Sequence, residues 1–366
     1  MKDHKVISIV TWLGCGNFGT SLQSYALHEK LKQLGYDVNI IVRSKIEFNY
    51  SLLKKIFLLL FYKLFRINLK INRISSFNKT KYNIRRVYVL GDHVYNLKYA
   101  DVFISGSDQI WNTYYKYDSF YFLDFVGDFK RISYASSIGS ESVKYEYREK
   151  VKEHLMRFNS ISVREKKAVN VLSDLLQNKK NVVQVLDPTF LLDAKDWNRF
   201  VLEAKIDIDL NMNYILCYLL GCNKDYINQL QNVKLKTGID NIVIITSLEN
   251  PSFYYDNAIV CRDAGPIEFV KLIKNATIVC TDSFHATAMS INLSIDFVEF
   301  IRFNDNDLES QNSRIYDILN RYNLLYKIYN KYNDDWCCKV DYLSVKKLLD
   351  IDIDFSVNYL VKSIDN

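Results

Sequence analysis

The chain has 366 residues, 49% hydrophobic and 25% charged, which is soluble globular composition; at about 150 residues per domain it has the length of two domains. With 11 glycines and three prolines it is neither collagen-like nor low-complexity, and a chain this long buries enough core to fold without disulfides or metal. The net charge of +6 is concentrated: residues 43–86 carry twelve Lys or Arg against one acid, Glu47, so the remainder is net acidic.

The opening run Lys5–Leu13 reads as a buried first strand. Lys2 and Lys5 ahead of apolar Val6–Leu13 outline a short secretory leader. However, Ser8, Thr11 and Trp12 interrupt it, Asp3 is acidic, and no small-residue cleavage site follows, so a cytoplasmic protein is expected. Seven cysteines (Cys15, Cys217, Cys222, Cys261, Cys280, Cys337, Cys338) are odd in number and lie largely in strand-like runs, which points to buried thiols in a reducing compartment. There is no CxxC and no histidine near Cys217 or Cys222, so no metal site is expected.

Gly14-Cys15-Gly16-Asn17-Phe18-Gly19 matches GxGxxG between a strand and a helix expected over Thr20–Leu34. A dinucleotide site needs an acid at the end of the next strand, Asp37–Val42, and Arg43 stands there instead. The reading that survives is a backbone able to approach an anion or a sugar closely. Leu52–Arg66 reads as a helix with a broad apolar face flanked by cations. It either lies on an anionic membrane surface or packs as an ordinary helix with solvated lysines. No recognised nucleic-acid motif accompanies the basic segment, so nucleic acid is not an expected partner.

Further strands are expected at Val102–Ser105, Arg131–Ala135, Ser160–Val163 and Val182–Val185, with helices over Glu146–Phe158 and Glu165–Leu176. After a short helix at Ala194–Glu203 the alternation restarts: strands Tyr214–Leu219, Asn241–Thr246 and Ala276–Cys280, helices Lys224–Lys236 and Pro266–Lys274, then a turn and helix over Thr281–Ile291. The fold class is therefore α/β, with two doubly wound domains facing across a cleft. The expected division is 1–206, 207–335, and a helical segment 336–366 returning to the first domain.

Three polar segments follow apolar strands. Ser105-Gly106-Ser107-Asp108-Gln109-Ile110-Trp111-Asn112 suits sugar hydroxyls and an aromatic platform, or is a polar turn beside a packed Trp. Ser162-Val163-Arg164-Glu165 sets an arginine at a strand end, poised for a carboxylate or phosphate, or for a distant acid. Sequence neighbours do not face each other on a helix, so pairing with Glu165 is not expected. Thr281-Asp282-Ser283-Phe284-His285-Ala286-Thr287-Ala288 places one of five histidines at a helix start, as an acid–base group or a cap. No nucleophile elbow is present.

Together these segments resemble the bacterial polysaccharide pyruvyl transferase family. The resemblance rests on Asn17-Phe18-Gly19 with Leu22-Gln23, Gly106–Asn112, Ser162–Glu165, Leu186-Asp187-Pro188-Thr189, Thr281–His285 and Ser313-Arg314-Ile315, in the family's order. It implies two Rossmann-like domains in a GT-B-type arrangement, with 1–206 on the acceptor side and 207–335 on the donor side. It also implies transfer of the carboxyvinyl unit of phosphoenolpyruvate to hydroxyls of a capsular or exopolysaccharide precursor, giving a cyclic ketal. Phosphoenolpyruvate is then donor substrate, with no separate cofactor, and the basic segment 52–66 suggests a lipid-linked acceptor at the inner face of the plasma membrane. The expected catalytic residues are His285, Arg164 and Asp108. The expected substrate contacts are Asn17, Gly19, Gln23, Ser107, Trp111, Asp282, Ser283, Phe284 and Arg314. Well-described members carry an arginine two residues before the histidine; here that position is Ser283, leaving Arg164, Arg314 or Lys271 to compensate. A GT-B glycosyltransferase using a nucleotide sugar and a non-catalytic sugar-binding protein would share the same cleft.

Overall fold

A computed structural model describes residues 5–13, 17–44, 67–90, 93–247, 253–304 and 310–366. The expected basic helix at 52–66 lies outside the described residues, and so do the membrane and lipid-linked readings built on it.

The chain begins β1 (Val6–Val10), a helix at Phe18–Gln33, then β2 (Asp37–Ser44). The helix starts two residues earlier than the apolar spacing suggested, because the Asn17 side chain accepts the Gly19 N–H at 2.9 Å and caps it. It ends at Gln33, and the φ of +92° at Gly35 turns the following Tyr36 N–H back to Leu31 O at 3.2 Å. A helix at Ile67–Lys81 and β3 (Ile84–Leu90) follow, neither expected from the sequence. The helix hides its face as Lys70, Ile74 and Phe77, with a lysine where a hydrophobe belongs, and Arg85 and Arg86 mask the alternation of β3. With β4 (His93–Tyr95), β5 (Val102–Ser105) and β6 (Arg131–Ser133) the first sheet reads β4-β3-β2-β1-β5-β6, parallel except for the β3–β4 hairpin. Isolated bridges carry it on to the pair β7 (Ile161–Val163) and β8 (Val182–Gln184).

The second sheet is wholly parallel. Its strands are β9 (Tyr214–Tyr218), β10 (Asn241–Ile245), β11 (Ile259–Cys261), β12 (Ile278–Thr281) and β13 (Phe297–Glu299), in the order β11-β10-β9-β12-β13. Both sheets are wound on two sides of a central strand, and interior strands such as β5 and β9 are near-continuous apolar runs, as burial on both faces demands. The last helix, Tyr342–Asp365, bonds through its Tyr342 hydroxyl to Ile295 O and, at its far end, through Ser356 to Leu186 N–H and Asp365 to Lys5. No helix among the described residues is long and apolar enough to cross a membrane.

One core cluster runs unbroken from the first sheet to the second. Phe18 stacks on Phe269 of the helix Pro266–Asn275 at 4.9 Å between centroids and lies 5.6 Å from Tyr218. Beside this seam Lys70 is buried against Phe18 and donates to Thr246 O, while Arg73 pairs with Asp263 (3.2 Å) and Glu268 (3.5 Å).

Candidate active site

In each sheet the chain first builds outward on one side of its central strand and then crosses to the other, so a crevice opens at the carboxyl ends of the two strands flanking the switch. In the first sheet these are β1 and β5, followed by Thr11–Leu13 and Gly106–Asn112. In the second they are β9 and β12, followed by Leu219-Leu220 and Asp282-Ser283. The two crevices face each other across a cleft of about 720 Å³ whose walls include Trp12, Asp108, Phe284, His285, Arg302 and Arg314.

His285 stands in the first turn of the helix Phe284–Leu293, capped at Ser283 without a side-chain capping bond. Its Nε2 lies 3.6 Å from Asp187 Oδ2, so the carboxylate acts on it through charge rather than a direct hydrogen bond. On its other edge is Gly19: a Cβ there would fall 2.0 Å from His285 Nδ1. Asp108 faces it from the first domain. It holds a left-handed φ of 75°, a conformation costing on the order of 1 kcal/mol for a residue with a Cβ. Asp108 Oδ2 accepts the Thr20 hydroxyl at 2.6 Å.

Arg164 corrects two expectations. It does pair with its neighbour, Nε to Glu165 Oε1 at 2.8 Å, because Glu165 is the helix cap in extended conformation and Arg164 precedes the helix. Its Nη1 donates to Asp187 Oδ2 at 2.9 Å, and its guanidinium lies 4.1 Å from the Phe284 ring centre. It therefore sits behind the cleft wall rather than on it. Burial opposes its charge, but Glu165 and Asp187 outweigh that and hold its pKa above the usual value. Asp187 also accepts from Ser107 Oγ (3.3 Å) and from the Thr189 N–H (3.0 Å) and hydroxyl (2.8 Å). Burial alone would raise the Asp187 carboxyl. His285 and Arg164 prevail and hold it below the ordinary carboxylate range.

Of the other expected contacts, Asn17, Ser283, Phe284 and Arg314 line the cleft. Gln23 does not: it is buried beneath, donating to Thr11 Oγ1 (3.1 Å) and Thr20 O (3.0 Å). Trp111 is no platform. Its ring stacks on Phe122 at 5.3 Å in the core and its Nε1 donates to Tyr121 O. Ser107 is spent on Asp187. Asp282 is a brace, accepting the N–H groups of Leu220 and Gly221 (both 2.7 Å), the Tyr226 hydroxyl (2.8 Å) and Arg302 Nε (3.2 Å). Lys271 is not among the lining residues.

The residues that sequence reasoning missed are Arg302, Trp12, Tyr115 and Tyr121. Trp12 and Arg302 each lie just past the end of a strand, β1 and β13, which is the one signal that marks them. Arg314 differs electrostatically from its neighbours. It is buried on the cleft wall, its bonds go to Gln311, and it has no carboxylate partner among the described residues. Burial, then repulsion from Arg164, push it down to about 9. That arginine is stabilised by whatever anion enters the cleft.

The family model described as polysaccharide pyruvyl transferase matches residues 17–302. No curated protein matches at a significant level. Among solved structures, Arabidopsis thaliana UGT89C1 complexed with UDP-L-rhamnose is similar over 100% of this chain and 99% of its own, at 8% identity and a TM-score of 0.53. A protein assigned as a UDP-N-acetylglucosamine 2-epimerase from Listeria monocytogenes is similar over 99% and 96%, at 9% identity and 0.52. At such identities the likeness is one of fold: two Rossmann-like domains facing across a cleft, the GT-B arrangement.

Proposed function

The chain belongs to the polysaccharide pyruvyl transferase family, and from that premise we propose that it moves the carboxyvinyl group of phosphoenolpyruvate onto a pair of hydroxyls of a capsular or exopolysaccharide sugar. The observation that carries the donor assignment is Arg314, a desolvated cation without a carboxylate partner among the described residues, on the same wall as Arg302 and the helix start at Phe284–His285. Two arginines and first-turn amides suit a ligand with a carboxylate and a phosphate.

In this reading His285 protonates the methylene carbon of the donor, making the adjacent carbon electrophilic. Asp108, across the cleft, takes the proton of the attacking acceptor hydroxyl. A second hydroxyl then displaces phosphate, which leaves with the proton of that second hydroxyl, and the new methyl-bearing carbon closes the ketal; exchange with solvent afterwards returns a proton to His285 and removes the one on Asp108. The cations stabilise the donor's charges as the leaving group departs. Arg164 is a positioning residue here: it holds Asp187 and the Phe284 ring, which flank His285.

Calorimetry and thermal shift with phosphoenolpyruvate and, separately, with UDP-sugars test the assignment on wild type and Arg314→Ala. The expected result is stabilisation by phosphoenolpyruvate, lost in the variant. Stabilisation by a nucleotide sugar alone would overturn it in favour of glycosyl transfer. In a phosphate-release assay with a saccharide acceptor, His285→Ala should lose more than about a hundredfold in rate with folding intact, the range of general acid catalysis. Near-wild-type turnover would remove His285 from the mechanism.

A further inference from the structure

A second cavity of about 400 Å³ adjoins the cleft on the side of the first domain, a size within the range of small-ligand pockets. The two share four wall residues, Trp12, Leu13, Tyr115 and Tyr121. Trp12 meets Tyr115 at 5.9 Å and Tyr121 at 6.2 Å, both edge to face, so one aromatic cluster stands between the spaces and belongs to each. Beyond it the second cavity reaches Val42 and Arg43 at the end of β2, and Lys116 and Asp118 in the loop after β5.

On its wall Arg43 and Asp118 are matched to each other, while Lys116 is exposed to solvent. Arg43 Nη1 donates to Asp118 Oδ1 at 3.1 Å, a second bond joins the other pair of atoms, and the guanidinium lies 5.0 Å from the Phe120 ring centre. A guanidinium already neutralised by a carboxylate makes little demand for an anion, but together the pair offers donors and acceptors side by side. Aromatic walls with paired donor and acceptor groups fit an uncharged ring bearing neighbouring hydroxyls and an apolar C–H face.

We propose that this cavity is a second saccharide subsite, binding the sugar ring next to the one that is modified in an acceptor of two or more sugars. The proposal rests on the acceptor being a saccharide, as argued above, and adds which part of it the protein reads. The aromatic cluster divides the ligand: the ring bearing the reacting hydroxyls sits between Asp108 and His285, and its neighbour sits beyond Trp12, over Val42 and against the Arg43–Asp118 pair.

The test is ligand-observed NMR titration of wild type, Val42→Trp and Arg43→Met with lactose and cellobiose against methyl β-galactoside and methyl β-glucoside. Val42→Trp fills the second cavity; Arg43→Met removes its donors at an exposed position where folding is not at stake. Wild type is expected to bind the disaccharides about tenfold more tightly than the matching monosaccharides, about 1.4 kcal/mol, with saturation transfer to both rings. In either variant that ratio should fall to near one. Equal affinity for both lengths in wild type, saturation of one ring only, or an unchanged ratio in a folded variant would each overturn the subsite. The underlying function fails separately: length-dependent binding without phosphate release from phosphoenolpyruvate leaves the subsite standing. Equal phosphate-release rates on both lengths remove the subsite and leave the transferase.

Discussion

Gly19 is the residue on which the histidine's position depends most directly. A methyl group there would stand 2.0 Å from His285 Nδ1 and 2.3 Å from Cγ, too close for a rotamer change to relieve. Gly19→Ala is therefore expected to cost about 1–3 kcal/mol of stability as an overpacked site, despite alanine's better helix propensity, and to abolish turnover. The double variant Gly19→Ala/His285→Ala removes the two ring contacts and keeps only the 2.7 Å approach to Cβ, so it should recover part of the lost melting temperature but not activity, which separates the clash from a general defect. Asp187 is the second such residue. Asp187→Asn leaves the Arg164 charge buried with Glu165 alone and should lower stability by about 3–5 kcal/mol in denaturant titration. The wild-type carboxyl is held below its ordinary range, so below about pH 4 the unfolded chain takes up the proton first. Its stabilisation is thus complete above that pH and lost as pH falls through the folded value; the asparagine variant should lack that acid-limb slope. Arg164 and Trp111 show how far a motif reads. Both sit beside the site as the sequence suggests, but which surface each presents depended on Glu165 capping a helix in extended form and on Phe122 offering a ring to stack on.

Among the elements, the helix Ile67–Lys81 was invisible in the sequence because it packs through a lysine. Lys70 lies under the domain seam, over Phe18, and burial pushes its pKa down to about 8 despite Asp263 and Cys261. The ordinary lysine value is about 10.4, so between roughly pH 8 and 10 the unfolded chain keeps a proton that the fold has released, and this group's contribution to stability rises with pH across that window. The buried thiols Cys217, Cys261 and Cys280, whose pKa values burial raises, contribute the opposite slope above about pH 8.5, and comparison with Lys70→Met cancels it. Relative to that variant, wild type should gain about 1–2 kcal/mol between pH 8 and 9.5, read as the difference between the two chemical-denaturation profiles; parallel profiles would show that the ammonium is not disfavoured at the seam. Elements whose apolar spacing is clean, such as the helices Phe18–Gln33 and Lys166–Leu175 and the strands β5 and β9, emerge within a residue or two of their expected ends. There a cap or a single apolar face decides the boundary.

Across the whole molecule, two sheets of the same winding share one core through Phe18, Tyr218 and Phe269. Phe18→Ala removes the ring that joins them and should cost about 3–5 kcal/mol. Wild type is expected to unfold in one calorimetric transition and the variant in two, and one undivided transition in the variant would show that other contacts couple the domains. The α/β class, the repeat of the winding, and the strand-end segments that carry Asp108 and His285 were legible along the chain, because strand burial and loop chemistry are local and each leaves a pattern in consecutive residues; Arg314, inside the helix Ser313–Arg321, was marked only by the family resemblance. Tertiary structure alone decided which of those side chains meet in one cleft, that Arg164, Gln23 and Asp282 are spent on bracing it, and that Trp12 and Arg302 complete its walls. The reason is physical: whether a charge binds a ligand or an internal partner depends on distances between residues tens to hundreds of positions apart, and no local spacing encodes them.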